Sequence, residues 1–226
     1  TIYRDGQKYT LHFEKGENIG GLHKEAAKNH KTGSKFRWKP DLAVFTDIDI
    51  PPEYYQDIMK RQAVVNAGVT FRFRNQVGGK FETTDFKYEH GIEDYVRELA
   101  GEENPLTQPV YFETERVGRD REDLKDYKVK LSVAFCFSNT TSIIEHYHNS
   151  SWLEHGGSPE KAVRSAFVSA LDSYLKKQGK YNKNESKVTF GDVQDSLILV
   201  SNNFSTSTSY ENQTKKSITN RFVQEA

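Results

Sequence analysis

Runs of alternating apolar and polar residues, punctuated by Gly and Pro, divide this chain into short strands and a few helices. Thr1 to Arg4 reads as a strand entering an Arg4-Asp5-Gly6 turn, with Gln7 to Glu14 as its hairpin partner. The polar stretch from Gly16 to Lys31, which contains Gly20-Gly21, reads as a loop, and Ser34 to Trp38 as a strand stopped by Pro40. The character changes near residue 50. Pro51-Pro52 opens a helix in which Tyr55, Ile58, Met59 and Ala63 recur at helical spacing, ending near Gly68. Strands at Val69 to Arg74 and Lys80 to Tyr88 follow, joined through Val77-Gly78-Gly79, then a short helix from Ile92 to Leu99 and a strand from Val110 to Val117. Gly118 to Tyr127 is a charged, exposed excursion. Lys128 to Phe137 and Ser142 to His148 read as a second hairpin, with Val129, Leu131, Val133 and Phe135 alternating as in a half-buried strand. Gly156-Gly157-Ser158-Pro159 starts the longest helix: Ser158 suits the cap, Pro159 the first helical position, and Val163, Ala166, Phe167, Ala170, Leu171 and Tyr174 form a core-facing stripe. Lys176 to Lys187 is a polar loop, Asp192 begins a short turn, and Leu197 to Val200 is the last buried strand. Strands interrupted by helices, with several hairpins and no internal repeat, predict an α+β fold in which helices pack on a mixed β-sheet.

Composition sharpens this only in part. A chain of 226 residues can bury a sizeable core, and 14 Phe and 12 Tyr supply one although the hydrophobic fraction is 35% and the charged fraction 28%. Lys plus Arg equals Asp plus Glu at 32 each, so no net field draws the chain to nucleic acid or to a membrane, and any basic surface is local. The single cysteine, Cys136, lies in the apolar run Leu131 to Phe137, where a thiol acts as a small hydrophobe. It permits no disulfide within one chain and favours a reducing compartment, hence a cytoplasmic setting. That argues against use of the Asn-x-Ser/Thr triplets at Asn139, Asn149, Asn184, Asn203 and Asn212 as glycan acceptors. No stretch approaches the roughly 20 apolar residues of a membrane span, and no signal segment opens the chain. The chain opens on a strand and not on methionine, as expected of a fragment excised from a longer protein.

Three constellations carry candidate chemistry. Gln213-Thr214-Lys215-Lys216 follows a stretch rich in Ser, Thr and Asn, itself preceded by the strand-like Ser196-Leu197-Ile198-Leu199-Val200. In an extended segment, side chains two apart share a side, so Gln213 and Lys215 would offer an amide and an ammonium to one ligand. The pair suits a terminal phosphate, although such a Gln-x-Lys is by itself more often a solvated loop. His146 and His148 share one strand face with His155 nearby, which suggests a metal site, but further ligands at suitable spacing are missing. Histidines at a strand end facing solvent or core are the plainer reading. Arg116, Arg119 and Arg121 are interleaved with acids, and they, like Lys176, Lys177, Lys180 and Lys183, read as solvated faces ahead of phosphate contacts.

Taken in order, Tyr3-Arg4-Asp5-Gly6, Lys31-Thr32-Gly33-Ser34, Phe36-Arg37-Trp38-Lys39-Pro40-Asp41, Phe45-Thr46, Asn66-Ala67-Gly68-Val69, Gly91-Ile92, Gly156-Gly157-Ser158, Phe167 through Leu171 and Gln213-Thr214-Lys215 resemble the ATPase half of type II DNA topoisomerases, the bacterial gyrase B and topoisomerase IV B family. The likeness covers nearly the whole chain. It implies that residues 1–48 are the C-terminal strands of a GHKL ATP-binding domain and residues 49–226 a transducer, of ribosomal-protein-like fold with a left-handed βαβ connection. The alternative is the transducer of another GHKL ATPase, such as a mismatch-repair or chaperone protein.

Carried over residue by residue, Thr32-Gly33-Ser34 matches the family's segment near the adenine pocket, making Gly33 and Ser34 nucleotide-binding candidates. Gln213-Thr214-Lys215 matches the loop that reaches the γ-phosphate, with Lys215 as its sensor and Gln213 orienting the same phosphate. The resemblance further implies ATP and magnesium as ligands of the parent protein. It implies as partners DNA, a second copy of the parent, and a gyrase A-type DNA-cleaving subunit. In the family the general base, the magnesium-binding asparagine and the glycine-rich lid precede the point matching Thr1, so the fragment alone is expected neither to hydrolyse ATP nor to bind it tightly, and to be a monomer or weak dimer. It departs from the family in the polar run Ser201 to Tyr210, in Trp152-Leu153-Glu154-His155 and in Lys216.

Overall fold

The strands among the first thirty-four residues make one antiparallel sheet. In the computed structural model, which describes residues 1–101 and 105–226, the chain divides into two compact units, Thr1–Ile50 and Pro51–Ala226. In the first, β1 (Ile2–Arg4) turns at Asp5 and Gly6 into β2 (Gln7–Glu14), as the sequence predicts. The stretch read as a loop is instead a strand, β3 (Glu17–Ala26), paired to β2 from Gln7↔Ala26 to Glu14↔Glu17. A peripheral strand held by its backbone needs no apolar alternation, so its polar sequence and Gly20-Gly21 misled. Conversely, β4 is only Gly33–Ser34, because β1 offers partners only to these two. Beyond it Phe36 and Trp38 are 77% and 73% exposed. The sheet order is β3-β2-β1-β4.

The second unit opens with α1 (Pro52–Val65), the hairpin β5 (Phe71–Val77) and β6 (Lys80–Phe86), and α2 (Ile92–Ala100). A five-stranded sheet follows from β7 (Val110–Gly118), β8 (Tyr127–Phe137), β9 (Ile143–His148), β10 (Ser151–Trp152) and β11 (Leu197–Ser205), with α3 (Ser158–Lys177) and α4 (Gly191–Gln194) between the last two and α5 (Arg221–Glu225) at the end. Its order is β10-β9-β11-β8-β7. The hairpin expected from β8 and β9 does not form: β11 lies between them, antiparallel to β8 and parallel to β9. The reason is in the composition of β11. Leu197, Ile198, Leu199 and Val200 are apolar on both faces and each 0% exposed, which only a central strand covered on both sides permits. With α3 it completes a βαβ connection from β9 to β11.

Helices cover both faces. Ile198 and Val200, with Ala134, Cys136 and Tyr147, pack against Val64, Ile92, Tyr95 and Val96 of α1 and α2. Leu197, Leu199 and Val133 face Val163, Phe167 and Leu171 of α3 and Val193 of α4. The predicted stripe on α3 is thus covered only in part, since Ala166, Ala170 and Tyr174 are exposed. Ser158 is the first helical residue and not the cap. A third cluster, Tyr127, Val129, Leu153, Ile218 and Val223, sits where the chain leaves β11. Among the described residues, no helix is long and apolar enough to cross a membrane.

Candidate functional site

Past Ser205 the chain leaves the sheet and doubles back on itself. Asn149 holds the departure point, accepting from the Ser205 N–H at 3.0 Å and donating to Thr208 Oγ1 at 3.0 Å. His148 Nε2 lies 3.1 Å from Ser205 Oγ and 3.0 Å from Thr208 Oγ1. The two arms then pair: Thr219 N–H donates to Ser209 O at 2.9 Å, Tyr210 and Ile218 form an antiparallel bridge, and Glu211 N–H donates to Ser217 O at 3.0 Å. Gln213 and Lys215 therefore occupy the tip of a hairpin-like loop.

The tip is a turn and not the extended segment expected. Lys215 N–H donates to Asn212 O at 3.2 Å, Thr214 Oγ1 donates to Asn212 Oδ1 at 2.6 Å, and Lys215 has φ of 58°. The rule that side chains two apart share a side fails in such a turn, although both side chains remain exposed. Two adjacent lysines are distinguished here. Lys216 is ion-paired with Glu154. Lys215 has no carboxylate partner among the described residues, and its ammonium lies 5.4 Å from the Tyr210 ring centroid.

The returning arm docks along the start of α3. His155 N–H donates to Lys216 O at 3.0 Å, and both the N–H and Oγ–H of Ser158 donate to Ile218 O, at 3.0 and 3.3 Å. Gly157 bridges Ile218 with φ of 95°, and a Cβ there would stand 2.3 Å from Ile218 O. Glycine is therefore required twice over, for its dihedral and for the close approach. Gly156-Gly157-Ser158 thus acts as a seat for the loop, a role its sequence did not signal.

Gly33 and Ser34 lie in the first unit, both exposed, opposite Tyr3 and Ile2 in β4. His146 and His148 are buried in the sheet. His146 Nδ1 lies 2.8 Å from Ser201 Oγ, and burial pulls both imidazoles down to about 4. His155 is exposed and takes no part with them. Among the described residues no group of three or more His, Cys, Asp and Glu side chains is set to hold a metal ion. Arg119 pairs with Asp126 at 2.6 Å, Arg121 with Asp123 at 3.2 Å and Lys176 with Asp172 at 2.8 Å, as solvated faces do.

A family model described as DNA gyrase B matches residues 91–226, more than half of the chain and the whole of the loop. The chain belongs to the DNA gyrase B family. Over 227 residues it is 26% identical to the DNA gyrase B protein of Mycoplasma pneumoniae, covering 98% of this chain and 35% of that one. The 43K ATPase domain of Thermus thermophilus gyrase B, solved with an aminocoumarin, superimposes with a TM-score of 0.71 at 23% identity, over 100% of this chain and 58% of the other. The topoisomerase IV ATP-binding domain of Francisella tularensis gives a TM-score of 0.73 at 23% identity, over 99% and 59%. Both show the same α+β fold. The chain spans about a third or less of the length of the gyrase B relatives it matches.

Proposed function

We propose that the chain is a segment of the ATPase subunit of an ATP-hydrolysing type II DNA topoisomerase. Residues 1–48 are the closing strands of its GHKL ATP-binding domain, and residues 49–226 the transducer that couples ATP binding and hydrolysis to DNA strand passage. Family membership supports the class, and the carrying observation is Lys215: exposed, without a carboxylate partner among the described residues, at the tip of a loop fixed at its base and along one arm. An ammonium so held suits the terminal phosphate of ATP, stabilising charge as the phosphoryl group passes to water, while the Gln213 amide orients the same oxygens. Gly33 and Ser34, in the first unit, are assigned to adenine binding by the ATP-binding domain. Once the terminal phosphate is cleaved, Lys215 loses the charge that holds it, and the released loop frees the transducer to move.

The parent protein works in the cytoplasm on DNA, beside a second copy of itself and a gyrase A-type DNA-cleaving subunit. Magnesium accompanies its ATP, and no ligand for it is assigned among the described residues. In the assembled enzyme Lys215→Ala is expected to lower both ATPase rate and strand passage by about a hundredfold, and Lys216→Ala by less than about threefold. A Lys215→Ala enzyme with undiminished ATPase would overturn the assignment.

A further inference from the structure

The mouth of the loop is closed by one side chain. Asn220, 1% exposed, accepts from the Ser209 N–H of the outgoing arm at 2.7 Å through Oδ1. Its Nδ2 donates to Asp120 Oδ2 at 2.9 Å and lies 3.2 Å from the Tyr127 hydroxyl. Asp120 comes from the excursion between β7 and β8 and is itself fully engaged: Oδ1 accepts from Tyr127 OH at 2.6 Å and from Phe222 N–H at 2.8 Å. Burial alone would raise its carboxyl, but these donors outweigh it and hold the group below the usual carboxylate range. The Phe222 ring stands edge-on to Tyr127 at 5.4 Å and lies over Gly118, where a Cβ would come within 2.4 Å of it. The clasp therefore ties both arms of the loop to the edge of the five-stranded sheet.

An amide is the side chain that can do this, since one planar group must accept from the outgoing arm and donate to a carboxylate. Alanine would leave the Ser209 N–H unpartnered and take from Asp120 Oδ2 its amide donor, and aspartate would set two carboxylates against each other. We propose that Asn220, held by Asp120, is a positioning residue for ATP hydrolysis: it keeps the two arms in register so that Lys215 meets the terminal phosphate. This rests on the reading of Lys215 given above. A shift at the mouth is magnified at the tip, and a misplacement of about 1 Å in a reacting geometry can cost on the order of a hundredfold.

The test uses the full parent protein with its partner, with rates counted per folded molecule. Asn220→Ala is expected to lower kcat for ATP about tenfold or more with KM changed less than about threefold, and to add little to the loss already caused by Lys215→Ala. Asn220→Asp is expected to regain activity relative to the native enzyme as the pH falls from about 8 to 6, because a proton shared with Asp120 restores the donor. Loss of folded protein would show no such recovery. Asp120→Asn, which keeps the shape of the side chain, should reproduce the kcat loss in milder form. The inference is overturned if Lys215→Ala abolishes ATPase while Asn220→Ala leaves kcat intact, if the two losses multiply in full, or if Asn220→Asp shows the native pH profile. Undiminished ATPase in Lys215→Ala would overturn the underlying reading instead.

Discussion

Lys215 and Lys216 are adjacent and chemically identical, yet only one is available. Glu154 neutralises Lys216 and fastens it to the segment ahead of α3, while Lys215, across a left-handed backbone, projects at the tip. Environment also sets the state of the buried histidines. Burial lowers His146 and His148 from 6.5 to about 4, with Glu160 raising and Arg164 lowering His146 to lesser degrees. Between these values the unfolded chain binds protons that the folded chain refuses, so their contribution is complete above pH 6.5 and is lost as the pH falls toward 4. Each histidine should cost at most about 1.4 kcal/mol per pH unit across that window. Urea midpoints of this chain should fall from pH 7.5 to about 5.5, and the fall should shrink in a His146→Asn, His148→Gln double variant. Equal slopes for the two proteins would remove the histidines as the cause.

At the scale of elements, the seat at the start of α3 gives the sharpest expectation. Gly157→Ala must either abandon a φ of 95° or push Ile218 away from a contact of 2.3 Å, so several kcal/mol of stability should be lost. Amide hydrogen exchange should show Ser158 and the returning arm losing protection before the sheet does. Protection unchanged at Ser158 would show that the seat is not needed. Periodicity makes α2 legible because it buries one clear face, Ile92, Tyr95, Val96 and Ala100, and makes β8 legible through the alternation of Val129, Leu131, Val133 and Phe135, although β8 is covered on both faces. It placed β9 beside β8 wrongly, since order along the chain says nothing of a strand inserted from much later in it. The loop is visible as a Gln-x-Lys pair that the resemblance strengthens, but its turn does not follow from a reading of the segment as extended. Asp120 and Asn220, one hundred residues apart, left no local signal at all: a hydrogen bond between distant segments has no period.

For the molecule as a whole, the two units differ in what they bury. Pro51–Ala226 carries three apolar clusters, whereas every residue of Thr1–Ile50 is at least partly exposed. A sheet with no covered face cannot offset the entropy of ordering its chain. Pro51–Ala226 expressed alone should therefore unfold cooperatively in urea, and Thr1–Ile50 alone should show no sheet signal by circular dichroism. A cooperative transition in the isolated Thr1–Ile50 piece would contradict this. The insertion of β11 between older strands bears finally on how the protein is made. A ribosome delivers β7, β8 and β9 long before the strand that joins them, so the sheet stays in two halves until Ser205 has emerged. The turn that carries Gln213 and Lys215 is synthesised next, immediately behind the strand that closes the sheet. A nascent chain thus acquires the turn proposed above to meet the phosphate only when the sheet beneath it is ready to be completed, and a chain halted earlier carries neither.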